Sequence, residues 1–249
     1  MLILLPPSET KRPGGRARAL DLDALALPQL LPQRDAVIDA LVALAADEHT
    51  AARVLKLSAR QRGEIADNAA LRTAPTLPAV DRYTGVLYDA LDASSLGGPE
   101  HRWLGAHVLI QSAPFGLVGA LDAIPAYRLA AGTSLPGLPA LRRVWADATA
   151  TALAEAAPRF VLDLRSEAYA ALGPVPAGTR TAYLRVVTDA GDGTVRALNH
   201  FNKHAKGDLV RRLATSRPRV TTADALCAWA GEAGLVLRPG APGELDLVV

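Results

Sequence analysis

Apolar and polar positions follow two rhythms along the chain: short continuous apolar runs that read as buried strands, and a three-to-four spacing that reads as a helix face. The first run, Leu2-Ile3-Leu4-Leu5, passes without a linker into Pro6-Pro7-Ser8-Glu9-Thr10-Lys11-Arg12-Pro13-Gly14-Gly15. From Arg34, residues Val37, Leu41, Leu44 and Ala45 fall at helical spacing, and a second helix is expected from Ser58, a good N-cap, to about Leu71, with Thr50 to Leu57 as the connection. Tyr83 to Leu91 resumes as a helix, Ala106 to Gln111 reads as a strand, and Asp122 to Leu129 as a further strand passing into a loop. From Pro139 a strong helix turns Leu141, Val144, Trp145, Ala148 and Ala152 inward, and Pro158 ends its range. Phe160 to Leu164 is the next strand, followed by a short helix after Arg165, a strand from Thr181 to Val187, a hairpin turn at Asp189 to Gly193 and its second strand, Thr194 to Leu198. A helix follows to Leu213, another spans Thr222 to Ala233 with Gly234 as its cap, and short strands are expected at Leu235 to Leu237 and Leu245 to Val248. The irregular alternation predicts one α+β domain over residues 1–249, a mixed sheet surrounded by helices, with no internal repeat.

Composition supports a folded chain. Half of the 249 residues are apolar and the formal net charge is only +2, so burial can offset the entropy of ordering. Aromatic residues make up 4%, which leaves packing to aliphatic side chains. The single cysteine, Cys227, excludes an intramolecular disulfide and a multi-cysteine metal site, and its neighbours Leu226 and Trp229 point to a buried thiol. No apolar segment reaches the roughly 20 residues needed to span a bilayer, and the Leu2 to Leu5 run is too short for a signal-peptide core; a cytoplasmic protein with no membrane partner is expected.

Charge divides unevenly. Residues 8–18 carry Lys11, Arg12, Arg16 and Arg18 against Glu9, and residues 196–219 carry Arg196, Lys203, Lys206, Arg211, Arg212, Arg217 and Arg219 against Asp208. With +3 and +6 in those segments and +2 in total, the remainder of the chain is at −7. Two basic segments on an acidic body form, if they meet, a positive cleft suited to a polyanion. Lys203 and Lys206, three apart, are expected to share one helical face, while Tyr127 beside Arg128 offers a ring next to a guanidinium, with Phe115 as a second ring for stacking.

Ser8, Ser112 and Ser166 each follow an expected strand end, the usual place for ligand contacts in sheet proteins. Their convergence with Lys11, Arg128 and Lys206 also accommodates an enzyme acting on a nucleotide or nucleobase, with Asp122 or Glu167 as acid or base and Tyr88 or Tyr169 as proton donor; Asp122 equally suits pairing with Arg128. The sequence carries no nucleophile motif, phosphate loop or dinucleotide fingerprint, so it calls for no cofactor and names no reaction. His200, His204 and Asp208 repeat at helical spacing, but three ligands on one straight helix cannot close on one ion, because the outer two stand about 12 Å apart along the axis.

Four stretches together carry a resemblance: Leu4 to Arg12, Tyr83-Thr84-Gly85-Val86-Leu87-Tyr88 with Leu91, Ser112 to Gly116 continuing through Asp122 to Leu129, and Phe201-Asn202-Lys203-His204-Ala205-Lys206-Gly207. In this order the chain resembles the YaaA family. The resemblance implies a bacterial cytoplasmic protein linked to peroxide stress, which helps keep free intracellular iron low, and a basic cleft that binds DNA. It carries over to Ser8, Lys11, Tyr88, Ser112, Phe115, Gly116, Asp122, Pro125, Tyr127, Arg128, Ser166, Tyr169, Lys203, Lys206 and Gly207, with the nucleic-acid contacts expected from Ser8, Lys11, Arg12, Ser112, Tyr127, Arg128, Lys203 and Lys206. After Leu117 the chain reads Val118-Gly119-Ala120 where the family has Leu-Arg-Pro, so one arginine expected in the cleft is missing.

Overall fold

The computed structural model describes the backbone of residues 1–189, 195–196 and 199–249 and the side chains of 1–188 and 202–249. In chain order the elements are β1 (Leu2–Leu5), α1 (Leu31–Ala45), α2 (Glu48–Val54), α3 (Glu64–Ala69), β2 (Leu77–Pro78), α4 (Ala79–Arg82), α5 (Val86–Leu91), α6 (Gly98–His107), β3 (Val108–Ser112), β4 (Gly116–Gly119) and β5 (Ala123–Ile124). They continue as α7 (Leu141–Ala156), β6 (Val161–Asp163), α8 (Glu167–Leu172), β7 (Thr181–Asp189), β8 (Val195–Arg196), α9 (Asn199–Ser216), α10 (Ala223–Glu232), β9 (Val236–Pro239) and β10 (Glu244–Val248).

The main sheet has the order β4-β3-β1-β6-β7-β10-β9, with β8 paired to β7, and β2 pairs with β5 apart from it. Its interior is parallel: Ile3 lies opposite Val108, Leu2 opposite Val161, Val161 opposite Thr181 and Glu244 opposite Tyr183. Antiparallel β4 and β9 close the two ends. Parallel strands need both faces covered and therefore read as unbroken apolar runs. Ile3, Leu4 and Leu5 are fully buried and all five residues of β3 are buried, which requires cover on both sides. The mixed α/β architecture meets the α+β expectation.

Helix α7 packs on β4, α8 and α1, and α9 on α5, α6 and β7. Helices α5 and α9 approach closely, because Gly207 sits where a Cβ would lie 2.1 Å from the Leu87 carbonyl oxygen and 2.9 Å from Ala90 Cβ. On α1, the fully buried Arg34 donates from Nε to Phe115 O (3.0 Å) and from Nη2 to Ala26 O (2.6 Å) and Leu117 O (2.8 Å), fastening the helix to β4 and its approach.

Three expectations need correction. Thr50 to Leu57 is not a simple connection: most of it is α2, started by Asp47, whose side chain accepts from Thr50 N. The long helix expected from Ser58 to Leu71 is a 3-10 turn at Ala59–Gln61 followed by the short α3, although Ser58 does cap, in a reciprocal box with Gln61. Helix α6 stands where no element was expected up to Gly105, and its last turn takes Ala106 and His107 from the strand expected at Ala106 to Gln111. The turn expected at 189–193 lies, apart from Asp189 at the end of β7, outside the described residues, and β8 pairs antiparallel with β7 beyond it.

Replacing Gly207 by Val is expected to push α9 off α5 and cost about 3 kcal/mol, roughly 6–12 °C in Tm for a chain of this size. Thermal unfolding by circular dichroism measures it; an unchanged Tm would show that the helix contact is not tight.

Candidate nucleic-acid interface

Strands β3, β1 and β6 lie side by side and run the same way, so Ser112 at the end of β3 and the loops bearing Ser8 and Ser166 fall at one edge of the sheet. From β1 the chain goes to β3 on one side and later returns to β6 on the other. Such a reversal opens a crevice beyond the C-terminal strand ends, where open α/β sheets hold ligands.

The loop after β1 is fixed in place. Arg12 N donates to Arg82 O (2.8 Å), Arg16 N and Ala17 N donate to Thr76 O (3.2 and 3.3 Å), and Thr76 Oγ1 donates to Arg18 O (2.7 Å). The buried Arg82 donates back to the carbonyls of Arg12, Pro75 and Ile124. Lys11 turns inward: its Nζ donates to Ser8 O (3.0 Å) and Glu9 O (3.3 Å) and sits 4.0 Å from the Tyr127 ring centroid. Two carbonyls and a ring face occupy its three donors. Burial lowers its pKa from 10.5 to about 8, with Glu9 opposing that shift and Arg128 adding to it.

All five tyrosines of this aromatic-poor chain are associated with the same edge. Tyr83 and Tyr127 share a hydrogen bond of 2.8 Å, Ser112 Oγ donates to the Tyr127 hydroxyl (3.2 Å), and Tyr88 donates to Pro6 O (2.7 Å), just past β1. Tyr183 donates to Arg165 O (2.9 Å), past β6, and Tyr169 lies on α8 near Glu9 and Arg128. Burial raises Tyr83 to about 12 and carries Tyr88, Tyr127 and Tyr169 higher, so these phenols stay protonated. Phe115 packs edge-on against Tyr127, with centroids 5.4 Å apart.

Across β6, the fully buried Arg165 pairs with Asp163 (2.6 Å) and donates to Gln111 Oε1 (3.1 Å) and Gly173 O (2.6 Å). Lys206 reaches from α9 to Leu164 O (3.0 Å), beside the Tyr183 ring at 5.6 Å. Burial lowers Lys206 from 10.5 to about 8, offset in part by Asp163. Parts of the two basic segments therefore come to this edge: Lys206 holds α9 to the end of β6, α9 packs on α5, and Tyr88 of α5 holds the start of the loop after β1.

The structure redistributes the expected roles. Arg12, Arg16, Arg18 and Lys203 are exposed, and Ser8 and Lys11 are half-buried. Lys206 does not share an outer face with Lys203, because its ammonium is drawn onto the β6 carbonyl and only 6% of the residue is exposed. Tyr127 and Phe115, at 3% and 0% exposure, have no face on which an incoming base can stack, and Ser112 is equally enclosed. Arg128 lies between Glu9 and Glu64, 3.4 Å from each, and its backbone is clamped from both sides by Asn68. Asp122 does not pair with Arg128: its Oδ2 accepts from Ala26 N (2.7 Å) and Gly119 N (2.8 Å), and burial raises its pKa. That commits the carboxylate to the β4 turn, away from the role of acid or base. Among the described residues no group of three or more His, Cys, Asp and Glu is placed to hold a metal ion, and no helix is long and apolar enough to cross a membrane. The His200 side chain lies outside the described residues.

A family profile described as peroxide stress protein YaaA matches residues 1–237. The chain belongs to the YaaA family. Beside this YaaA-family chain, a UPF0246 protein of Corynebacterium efficiens is 45% identical over 255 residues, with all of both chains covered. One of Streptomyces coelicolor is 44% identical over 261 residues, covering all of this chain and 98% of its own. One of Neisseria meningitidis serogroup B is 27% identical over 202 residues, covering 75% of this chain and 76% of its own. The resemblance carried by the four motifs thus extends over the YaaA-family chain as a whole.

Sequence reasoning missed Arg34, Arg82, Arg165 and Asn68, which position the edge without facing outward. The available signal was weak: an acid and an arginine two apart at the end of an apolar run, as Asp163 and Arg165 after Phe160-Val161-Leu162.

The buried Lys206 makes a pH prediction with a definite sign. Its folded pKa of about 8 lies below the unfolded 10.5, so the folded state binds fewer protons between those values and stability rises with pH through that window; below pH 8 the cost of burying the charge is present in full. Relative to Lys206→Met, the native chain is expected to gain about 2 kcal/mol between pH 7 and 9.5, or roughly 4–8 °C in Tm. A Tm difference that stays flat with pH would show that Lys206 titrates as an exposed lysine.

Proposed function

We propose that this chain acts in the peroxide-stress response by binding DNA, largely without regard to sequence, along the strand-end edge, and that it helps limit free intracellular iron. One observation carries the reading: parts of two basic segments nearly 190 residues apart in sequence come to the same edge, and among the cations those segments leave exposed are Arg12, Arg16, Arg18 and Lys203. Exposed cations on a pinned backbone suit phosphate contacts, because little chain entropy is lost on binding. Lys11 and Lys206 serve the interface from beneath, as fasteners of the loop and of α9, and Tyr127 and Ser112 set the floor on which Lys11 rests. Arg128, balanced by Glu9 and Glu64, holds the loop edge.

The test is fluorescence anisotropy with duplex, bulged and single-stranded DNA across a salt series. With four phosphate contacts, affinity is expected to fall about 100-fold between 50 and 200 mM salt. A salt-independent curve would remove phosphate binding. Replacing Arg12 and Lys203 together by Ala is expected to weaken duplex binding about tenfold and to reduce the salt slope by about two; unchanged affinity moves the contact surface elsewhere. The iron component is checked in cells, where loss of the chain is expected to raise chelatable iron under peroxide, and an equal iron pool removes it.

A further inference from the structure

Away from the strand-end edge, the surface between α9 and α10 folds into a groove of about 330 Å³ whose wall includes Asp208, Arg211, Arg212, Ser216 and Trp229. The volume is that of a small-ligand site and accommodates one planar ring. Of the three tryptophans, Trp103 and Trp145 are buried, whereas Trp229 is half-exposed. Its indole N–H donates to Ser216 Oγ (3.1 Å), which holds the ring in one orientation.

The cations around this ring are held as well. Arg212 donates from Nε to Asp208 Oδ2 (2.7 Å) and from Nη1 to Ala233 O (3.3 Å), with 46% of its side chain still exposed. Arg211 Nη1 donates to the carbonyls of Leu91 and Asp92, each at 3.0 Å, and the Asp92 carboxylate stands 3.6 Å from it. Arg217 and Arg219 follow at the end of α9, both exposed, and the nearest acid to Arg217, Glu100, stands at 3.9 Å. Asp208 is the acid in the wall, and Asp224 and Glu232 lie exposed on α10.

A fixed, half-exposed indole beside several guanidiniums is the combination that binds single strands: every base has a face to stack, the cations meet the phosphates, and a ring already held in place loses little entropy. The stacking role that Tyr127 and Phe115 cannot fill has a partner of the right chemistry here. We propose that this groove takes an unpaired base of single-stranded DNA, stacked on Trp229, with a flanking phosphate on Arg212. The inference rests on the nucleic-acid reading above and adds to it a second contact surface with a preference for unpaired DNA.

Labelled oligo-dT and a labelled duplex, measured by anisotropy at one salt concentration, test it. Trp229→Leu is expected to weaken oligo-dT binding tenfold or more while duplex affinity stays unchanged, and Trp229→Phe, which keeps a ring, is expected to retain most of the affinity. Arg212→Ala, an exposed change, is expected to weaken oligo-dT binding severalfold. In the native chain unlabelled oligo-dT is expected to quench tryptophan emission, a signal that reports mainly on Trp229 because the other two rings are buried. Duplex binding with Trp229→Leu matching the native chain on oligo-dT overturns the groove assignment alone. Binding of neither DNA form overturns both readings.

Discussion

The structure depends on buried cations that donate to backbone carbonyls. Where parallel strands end and their loops turn away, carbonyl oxygens leave the ladder and need another donor. Arg34, Arg82 and Arg165, all at 0% exposure, supply it to Ala26, Phe115 and Leu117, to Arg12, Pro75 and Ile124, and to Gly173. Lys11 and Lys206 do the same for Ser8, Glu9 and Leu164. A guanidinium fits the task because its five N–H groups lie in one plane and can serve several oxygens at once. The cost of desolvating these charges is offset by the many carbonyls that would otherwise be orphaned, so one change at Arg82 would release three loop segments together.

This use of charge separates the basic residues into two populations. Those that reach carbonyls are withdrawn from solvent and shape the edge. Others in the same segments, Arg12, Arg16, Arg18 and Lys203 among them, stay exposed. Positive charge counted along the chain therefore overstates what the surface offers, and around Arg128 the carboxylates of Glu9 and Glu64 cancel it locally. The electrostatic footprint is narrower than either basic segment.

Much of the fold was legible because its signals are local. The Leu2 to Leu5 run, the apolar face from Leu141 to Ala152, and Thr222 capping α10 through Ala225 N each follow from neighbouring residues. Helix α6 was hidden by Gly97-Gly98-Pro99, which reads as a turn, although proline is well tolerated in a first helical turn. The loop after β1 was legible as a place of interest, and so was the departure of the chain near Ser8, Ser112 and Ser166 from strand ends, which lie at one edge of the sheet. The direction of Lys206 was not, because a lysine spaced for an exposed helix face gives no sign that a strand end lies beneath it. Such facts follow from which strands become neighbours, and that is decided by pairings more than one hundred residues apart, such as Ile3 with Val108 and Leu2 with Val161.

The same long pairings bear on how the chain is made. Strand β1 is synthesised before β3 and β6, yet it lies inside the sheet between them. It cannot be completed on both sides until Val161–Asp163 has left the ribosome, which at roughly 5–20 residues per second takes on the order of ten to thirty seconds. Until then four aliphatic residues wait with at most the β3 side paired. The prolines at positions 6 and 7 and the charged residues that follow keep the exposed run short and bounded, so the waiting strand has little room to recruit a wrong neighbour.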